Sequence, residues 1–107
     1  MKISLQEALE KLKDFESPFI NLFDRGTLSV ELYKPEGKDL QQPHPRDEVY
    51  IVILGSGIFY LEGSRTKFSA GDFLFVPAGE VHRFEDFTDD FVTCVIFFGP
   101  EGGEQVK

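Results

Sequence analysis

The sequence predicts an all-β domain, a barrel or sandwich preceded by one short helix. Three observations carry this. After Ser17-Pro18 the chain consists of short apolar runs rich in phenylalanine, valine and isoleucine. These runs are separated at regular intervals by turn-forming clusters such as Asp24-Arg25-Gly26, Gly55-Ser56-Gly57, Glu62-Gly63-Ser64 and Ala70-Gly71-Asp72. Such punctuation marks an all-β architecture. Only the first residues carry helical periodicity.

In that first segment Ser4 and Glu7 form a capping-box pattern, and Leu5, Ala8, Leu9 and Leu12 follow at helical spacing. The spacing predicts an amphipathic helix over residues 5–13 whose apolar stripe packs on the domain or on a partner subunit. The strands expected are 19–23, 27–34, 46–54, 57–61, 66–68, 73–76, 81–85 and 91–98. The chain reads as a single domain over 1–107, with 1–18 as a helical extension and 100–107 as a flexible polar tail.

The 107 residues leave no room for a second functional module. A formal charge of −8, with eleven scattered lysines and arginines, provides no basic stripe for phosphates, so nucleic acid is excluded as an expected partner. No stretch has the length of a membrane span, and charges interrupt the apolar residues of Met1–Lys13, unlike a secretory signal. A cytoplasmic location is the expectation. One cysteine, Cys94, precludes an internal disulfide; it sits in the apolar run 92–98, where an inert buried thiol is expected.

The chemistry concentrates in two segments, Gln42-Pro43-His44-Pro45-Arg46-Asp47-Glu48 and Pro77-Ala78-Gly79-Glu80-Val81-His82, which hold both histidines of the chain. In an extended strand Gln42, His44 and Glu48 share one face, and Pro43 and Pro45 bias the residues before them toward extended backbone. His82 would join them from a distant strand. Two imidazoles and a carboxylate around open positions suit non-haem iron, zinc, manganese or nickel, and Gln42 adds a neutral oxygen. By the same parity Tyr50, Val52 and Leu54 face inward with Glu48, and Phe84 and Asp86 with His82. Arg46, also of ligand parity, could hold an anionic substrate at the mouth, and Tyr50 and Phe84 are candidates for pocket or core.

These two segments resemble the paired motifs of the cupins. Gly71, Pro77, Gly79 and His82 fall at the spacing of the second motif, with Asp86 where asparagine is usual. His44, Glu48 and Gly55 are in register with the first. The departures are Gln42 in place of the first histidine and Gly37 one residue nearer than the pattern asks. The resemblance spans residues 26–99 and implies a cupin-type jelly-roll barrel, or double-stranded β-helix. It also implies one divalent metal ion on Gln42, His44, Glu48 and His82, a ligand set similar to that of zinc-dependent phosphomannose isomerases.

A homodimer is expected as well, built by the N-terminal helix and the strand from Thr27 to Lys34. Two function classes stay open. One is a metal-dependent isomerase, lyase or dioxygenase acting on a small organic molecule. The other is a non-enzymatic module that binds or senses such a molecule.

Overall fold

A computed structural model describes residues 1–14 and 17–106. Residues 15, 16 and 107, within the predicted N-terminal extension and tail, lie outside the described residues. The helix α1 spans Leu5–Asp14. Ser4 caps it, accepting from the Glu7 backbone N–H at 3.1 Å while its hydroxyl donates to the Glu7 carboxylate at 3.0 Å.

The described residues form eight strands: β1 Phe19–Arg25, β2 Leu28–Tyr33, β3 Asp47–Leu54, β4 Ser56–Leu61, β5 Ser64–Ser69, β6 Phe73–Val76, β7 His82–Glu85 and β8 Val92–Phe98. Every run predicted from the apolar pattern is a strand, with ends shifted by two residues at most. Two antiparallel sheets result, a five-stranded one in the order β1-β2-β8-β3-β6 and a three-stranded one in the order β5-β4-β7. This is the jelly-roll barrel.

Alternation sorts each strand of the larger sheet onto two faces. The inner face carries Tyr50, Val52, Val76 and Val95, which meet Phe59, Phe68 and Phe84 of the smaller sheet, and Phe91, in the main core. On the outer face Ile20, Leu32 and Val92 pack against Ala8 and Leu12 of α1 in a second, smaller cluster. The helix stripe is therefore satisfied within the chain, as expected of the first of its two possible partners. No helix among the described residues is long and apolar enough to cross a membrane.

Leu54, beyond a register shift between Val52 and Leu54, is 40% exposed and lines the open cleft, as expected. Two local expectations fail for identifiable reasons. Asp86 is exposed, since β7 ends at Glu85 and Asp86 turns the chain at φ +49°. The segment after Gly99 folds back as far as Glu104: the Gly102 N–H donates to the Pro45 carbonyl at 2.7 Å and the Glu104 N–H to Asp47 Oδ2 at 2.9 Å. Asp47, 6% exposed, offers acceptors there that composition alone did not reveal.

Gly55 makes the hinge between β3 and β4 at φ +90°, where an added Cβ would lie 2.6 Å from both Phe91 Cα and Thr88 Oγ1. Backbone strain and overlap act together here. Gly55→Ala is expected to destabilise the domain by about 2 kcal/mol or more, measured by urea unfolding. A loss within 0.5 kcal/mol would show that the Thr88–Phe91 turn yields freely.

Candidate metal centre

The barrel brings the two histidine segments together across the gap between its sheets. Glu48 lies on β3 of the larger sheet and His82 opens β7 of the smaller. The connection 77–81 crosses from β6 to β7 and is fastened to the first segment by two bonds. The Ala78 N–H donates to Asp47 Oδ1 at 2.9 Å, and the Gly79 N–H to the His44 carbonyl at 2.8 Å. One nitrogen each from His44 and His82 and one Glu48 oxygen lie within 4.8 Å of one another.

Glu48 is fully buried and His82 is 2% exposed. His82 Nε2 approaches Glu48 Oε1 at 2.6 Å, and His44 Nε2 lies 3.9 Å from Glu48 Oε2. Yet His82 Nε2 and Glu48 Oε2 have no hydrogen-bond partner of acceptable direction. Buried polar atoms rarely stay unpaired, because each costs about 1–3 kcal/mol. The other His82 nitrogen, Nδ1, lies 2.9 Å from the Glu80 carbonyl, which can only accept. Nδ1 therefore carries a proton, which leaves Nε2 as the nitrogen an ion would take, in place of the proton that Glu48 favours there without one. The donor set fits a divalent ion.

The electrostatics follow from burial. Burial holds the His44 pKa below the ordinary histidine range, against the pull of Glu48. At His82 burial also acts downward, but the Glu48 carboxylate and the Glu80 carbonyl outweigh it, and the net shift is upward. The Tyr50 hydroxyl is pushed well above its usual range by burial and by the charge of Glu48, so it stays protonated. It lies within donating distance of Glu48 Oε1, at 3.1 Å, and of Gln41 Oε1, at 3.0 Å.

Gln42 stands apart from this group. Its side chain is exposed, and it is Gln41 whose amide oxygen lies 3.2 Å from His44 Nε2. The parity rule failed here because residues 34–46 form no strand and β3 begins only at Asp47. Two further candidates lie outside this group of donors. Arg46 donates to the Thr27 carbonyl and lies over the Phe97 ring, 5.7 Å from its centroid. Phe84 is 2% exposed and packs among the rings of Tyr50, Phe59, Phe68 and Phe91, so it belongs to the core. Tyr50 serves both roles, with its ring in the core and its hydroxyl at the site.

A cleft of about 1250 Å³ runs from His44, Gln41 and Tyr50 over Glu31, Val95 and Phe97 toward the flank of α1. Glu31 was not singled out from the sequence, although the alternation Val30-Glu31-Leu32 held the signal: a carboxylate facing opposite to two apolar neighbours can point into a cavity as well as into solvent. Its position is set by register, for Glu31 pairs with Val95, and Val95 pairs with Tyr50. Two strand spacings, about 10 Å, separate the Glu31 and Tyr50 backbones. Burial raises the Glu31 pKa, aided by Asp24 and Glu48 and opposed by Arg46.

Sequence comparison now places the chain. A family model described as a cupin domain matches residues 29–98. The chain belongs to the cupins. An uncharacterised protein from Streptomyces coelicolor is 31% identical over 88 residues, covering 80% of this chain and 84% of that one. Among solved structures, a candidate mannose-6-phosphate isomerase from Ralstonia eutropha superposes with a TM-score of 0.61 at 26% identity, over 77% of this chain and 83% of that one. The DMSP lyase DddQ from Ruegeria pomeroyi gives 0.63 at 26% identity, over 76% of this chain and 46% of that one. As a cupin, this protein has one member of its His-Glu-His cluster, His44, on the wall of an open cleft, while Glu48 and His82 are buried next to it.

Proposed function

We propose that this cupin binds one divalent metal ion through His44 Nε2, Glu48 and His82 Nε2 and acts on a small oxygen-bearing organic molecule that enters by the cleft. The observation that carries the reading is the convergence of two buried, unpartnered polar atoms, Glu48 Oε2 and His82 Nε2, on His44, which lines an open cavity. When bound, a divalent ion on two neutral imidazoles and one carboxylate keeps a net charge of about +1 and polarises a substrate oxygen. Val95 and Phe97 hold the body of the molecule, and Glu31 supplies a carboxyl group for proton transfer on the cleft floor. Isomerisation of a hydroxy-carbonyl compound and eliminative lyase chemistry both begin by removing a proton from carbon next to a carbonyl. The similarity to a candidate isomerase and to a lyase supports that class.

Elemental analysis of anaerobically purified protein tests the metal, with zinc favouring isomerase or lyase chemistry and iron an oxygenase. Proton abstraction is tested by NMR in D2O with small hydroxy-carbonyl compounds, where metal-dependent deuterium incorporation next to the carbonyl is expected. Glu31→Gln should keep the metal and lose the exchange. Saturable binding with neither exchange nor product would make the protein a binding module instead.

The protein is further proposed to form a homodimer, though not through the elements named from sequence. Helix α1 and the outer face of β2 already cover each other, and β2 lies between β1 and β8. Among the apolar residues left open, two lie side by side on one face of β6, where Phe73 and Phe75 are 62% and 43% exposed beside Ile51 and Val49 of β3. Phe73→Lys/Phe75→Lys should halve the mass seen by light scattering without unfolding the barrel. An unchanged mass would move the interface elsewhere.

A further inference from the structure

The most thoroughly bonded side chain outside the His-Glu-His cluster is Asp39, a carboxylate in the strandless segment between β2 and β3. It is only 6% exposed, and both of its oxygens are in use. Oδ1 accepts from the Tyr33 hydroxyl at 2.5 Å and from the Gln41 backbone N–H at 3.1 Å. Oδ2 accepts from Gln41 Nε2 at 2.7 Å and from the Phe84 backbone N–H at 2.8 Å. The four donors come from β2, from β7 and from the segment itself, so one side chain fastens this segment across the barrel.

We propose that Asp39 is a positioning residue of the metal centre, which turns the Gln41 carboxamide oxygen toward the metal position and holds it there as a neutral fourth donor. The inference rests on the metal reading above. A carboxylate can only accept, so the Gln41 amide must present its NH2 to Asp39. Its oxygen is thereby directed the opposite way, to the point where His44 Nε2 and the Tyr50 hydroxyl also converge. An amide free to rotate or to leave the site would offer the oxygen for only part of the time. Partners of this kind, one bond removed from a metal ligand, are worth about 10–100-fold in metal affinity. Gln42, next in the chain and exposed, has no such partner among the hydrogen bonds of the described residues.

Titration of the apo-protein with Zn(II) and Co(II) tests the assignment. Gln41→Ala and Asp39→Ala are each expected to weaken binding by about 10–100-fold, the double variant no more than Gln41→Ala, and Gln42→Ala not at all. A double variant as weak as the product of the two single effects, or unchanged affinity in Gln41→Ala, overturns the proposal. Asp39→Ala also strips the Phe84 N–H of its acceptor and can fail to fold. The second measurement therefore uses the unaltered chain. In the Co(II)-loaded protein the Gln41 side-chain NH2 signals, identified by their loss in Gln41→Ala, are expected to be shifted by the ion and slow to exchange with solvent. Exchange at the rate of a free amide would overturn the assignment just as well. If the unaltered chain binds neither ion, it is the metal reading itself that has failed.

Discussion

The double variant His44→Ala/His82→Ala is expected to bind no divalent ion, where the unaltered chain holds about one per molecule. The reason is arithmetic. Two of three close donors are lost, leaving one buried carboxylate that offers a single residue to the ion. Since a bound ion stabilises only the folded state, metal at a thousand times its dissociation constant adds about 4 kcal/mol to the unaltered protein. That increment should vanish in the variant. The measurement is the melting temperature with and without chelator, alongside metal content. A variant that still carries one ion per chain, or still melts lower on chelation, would place the metal somewhere else.

One control separates this from a purely structural loss. Glu48 is fully buried against His82, and removing one partner of a buried charged pair costs about 3–5 kcal/mol by itself. The chelator difference within each variant, not the variant's absolute stability, is therefore the diagnostic quantity. His82→Gln provides a milder partner for Glu48 and should lose metal while melting above the alanine variant.

Phe84→Ala is expected to destabilise the domain by about 3–5 kcal/mol. Phe84 sits at the centre of the aromatic core, with ring centroids 4.8 Å from Tyr50, 5.4 Å from Phe59, 5.3 Å from Phe68 and 4.7 Å from Phe91. Three of these neighbours, Tyr50, Phe59 and Phe68, are held in strands and cannot fill the space without leaving them. For a domain of this length that loss lowers the melting temperature by roughly 15–25 °C. Because the Tyr50 ring borders the cavity while its hydroxyl reaches Glu48, metal affinity should weaken as well. A drop under 1 kcal/mol by urea unfolding would show that Phe84 is loosely packed and would return it to the cleft wall.

The fold was legible in the sequence because period-two apolar runs bounded by turn clusters allow few arrangements. One face of each run must be buried, and glycines such as Gly55 and Gly71, both at positive φ, mark where strands end. The pairing of His44 and Glu48 with His82 was legible too, since both segments match the cupin motifs. Parity served well within β3, where Glu48, Tyr50 and Val52 are all buried. It failed wherever regular strand geometry stops.

Gln41, Asp39 and the fold-back of residues 102–104 belong to those irregular stretches, and there no periodicity ties a residue number to a direction. Nothing in the sequence around Asp39 singles it out, and only the tertiary arrangement reveals it as a buried acceptor for four donors. Glu31 shows the remaining case: alternation assigned its face, but whether that face met water or a cavity depended on how far the smaller sheet extends over the larger. The sequence by itself thus determined the strands, the barrel and three donors of one site. Which glutamine reaches that site was decided by hydrogen bonds that Asp39 accepts from Tyr33, 6 residues away, and from Phe84, 45 residues away, the second of which no local rule encodes.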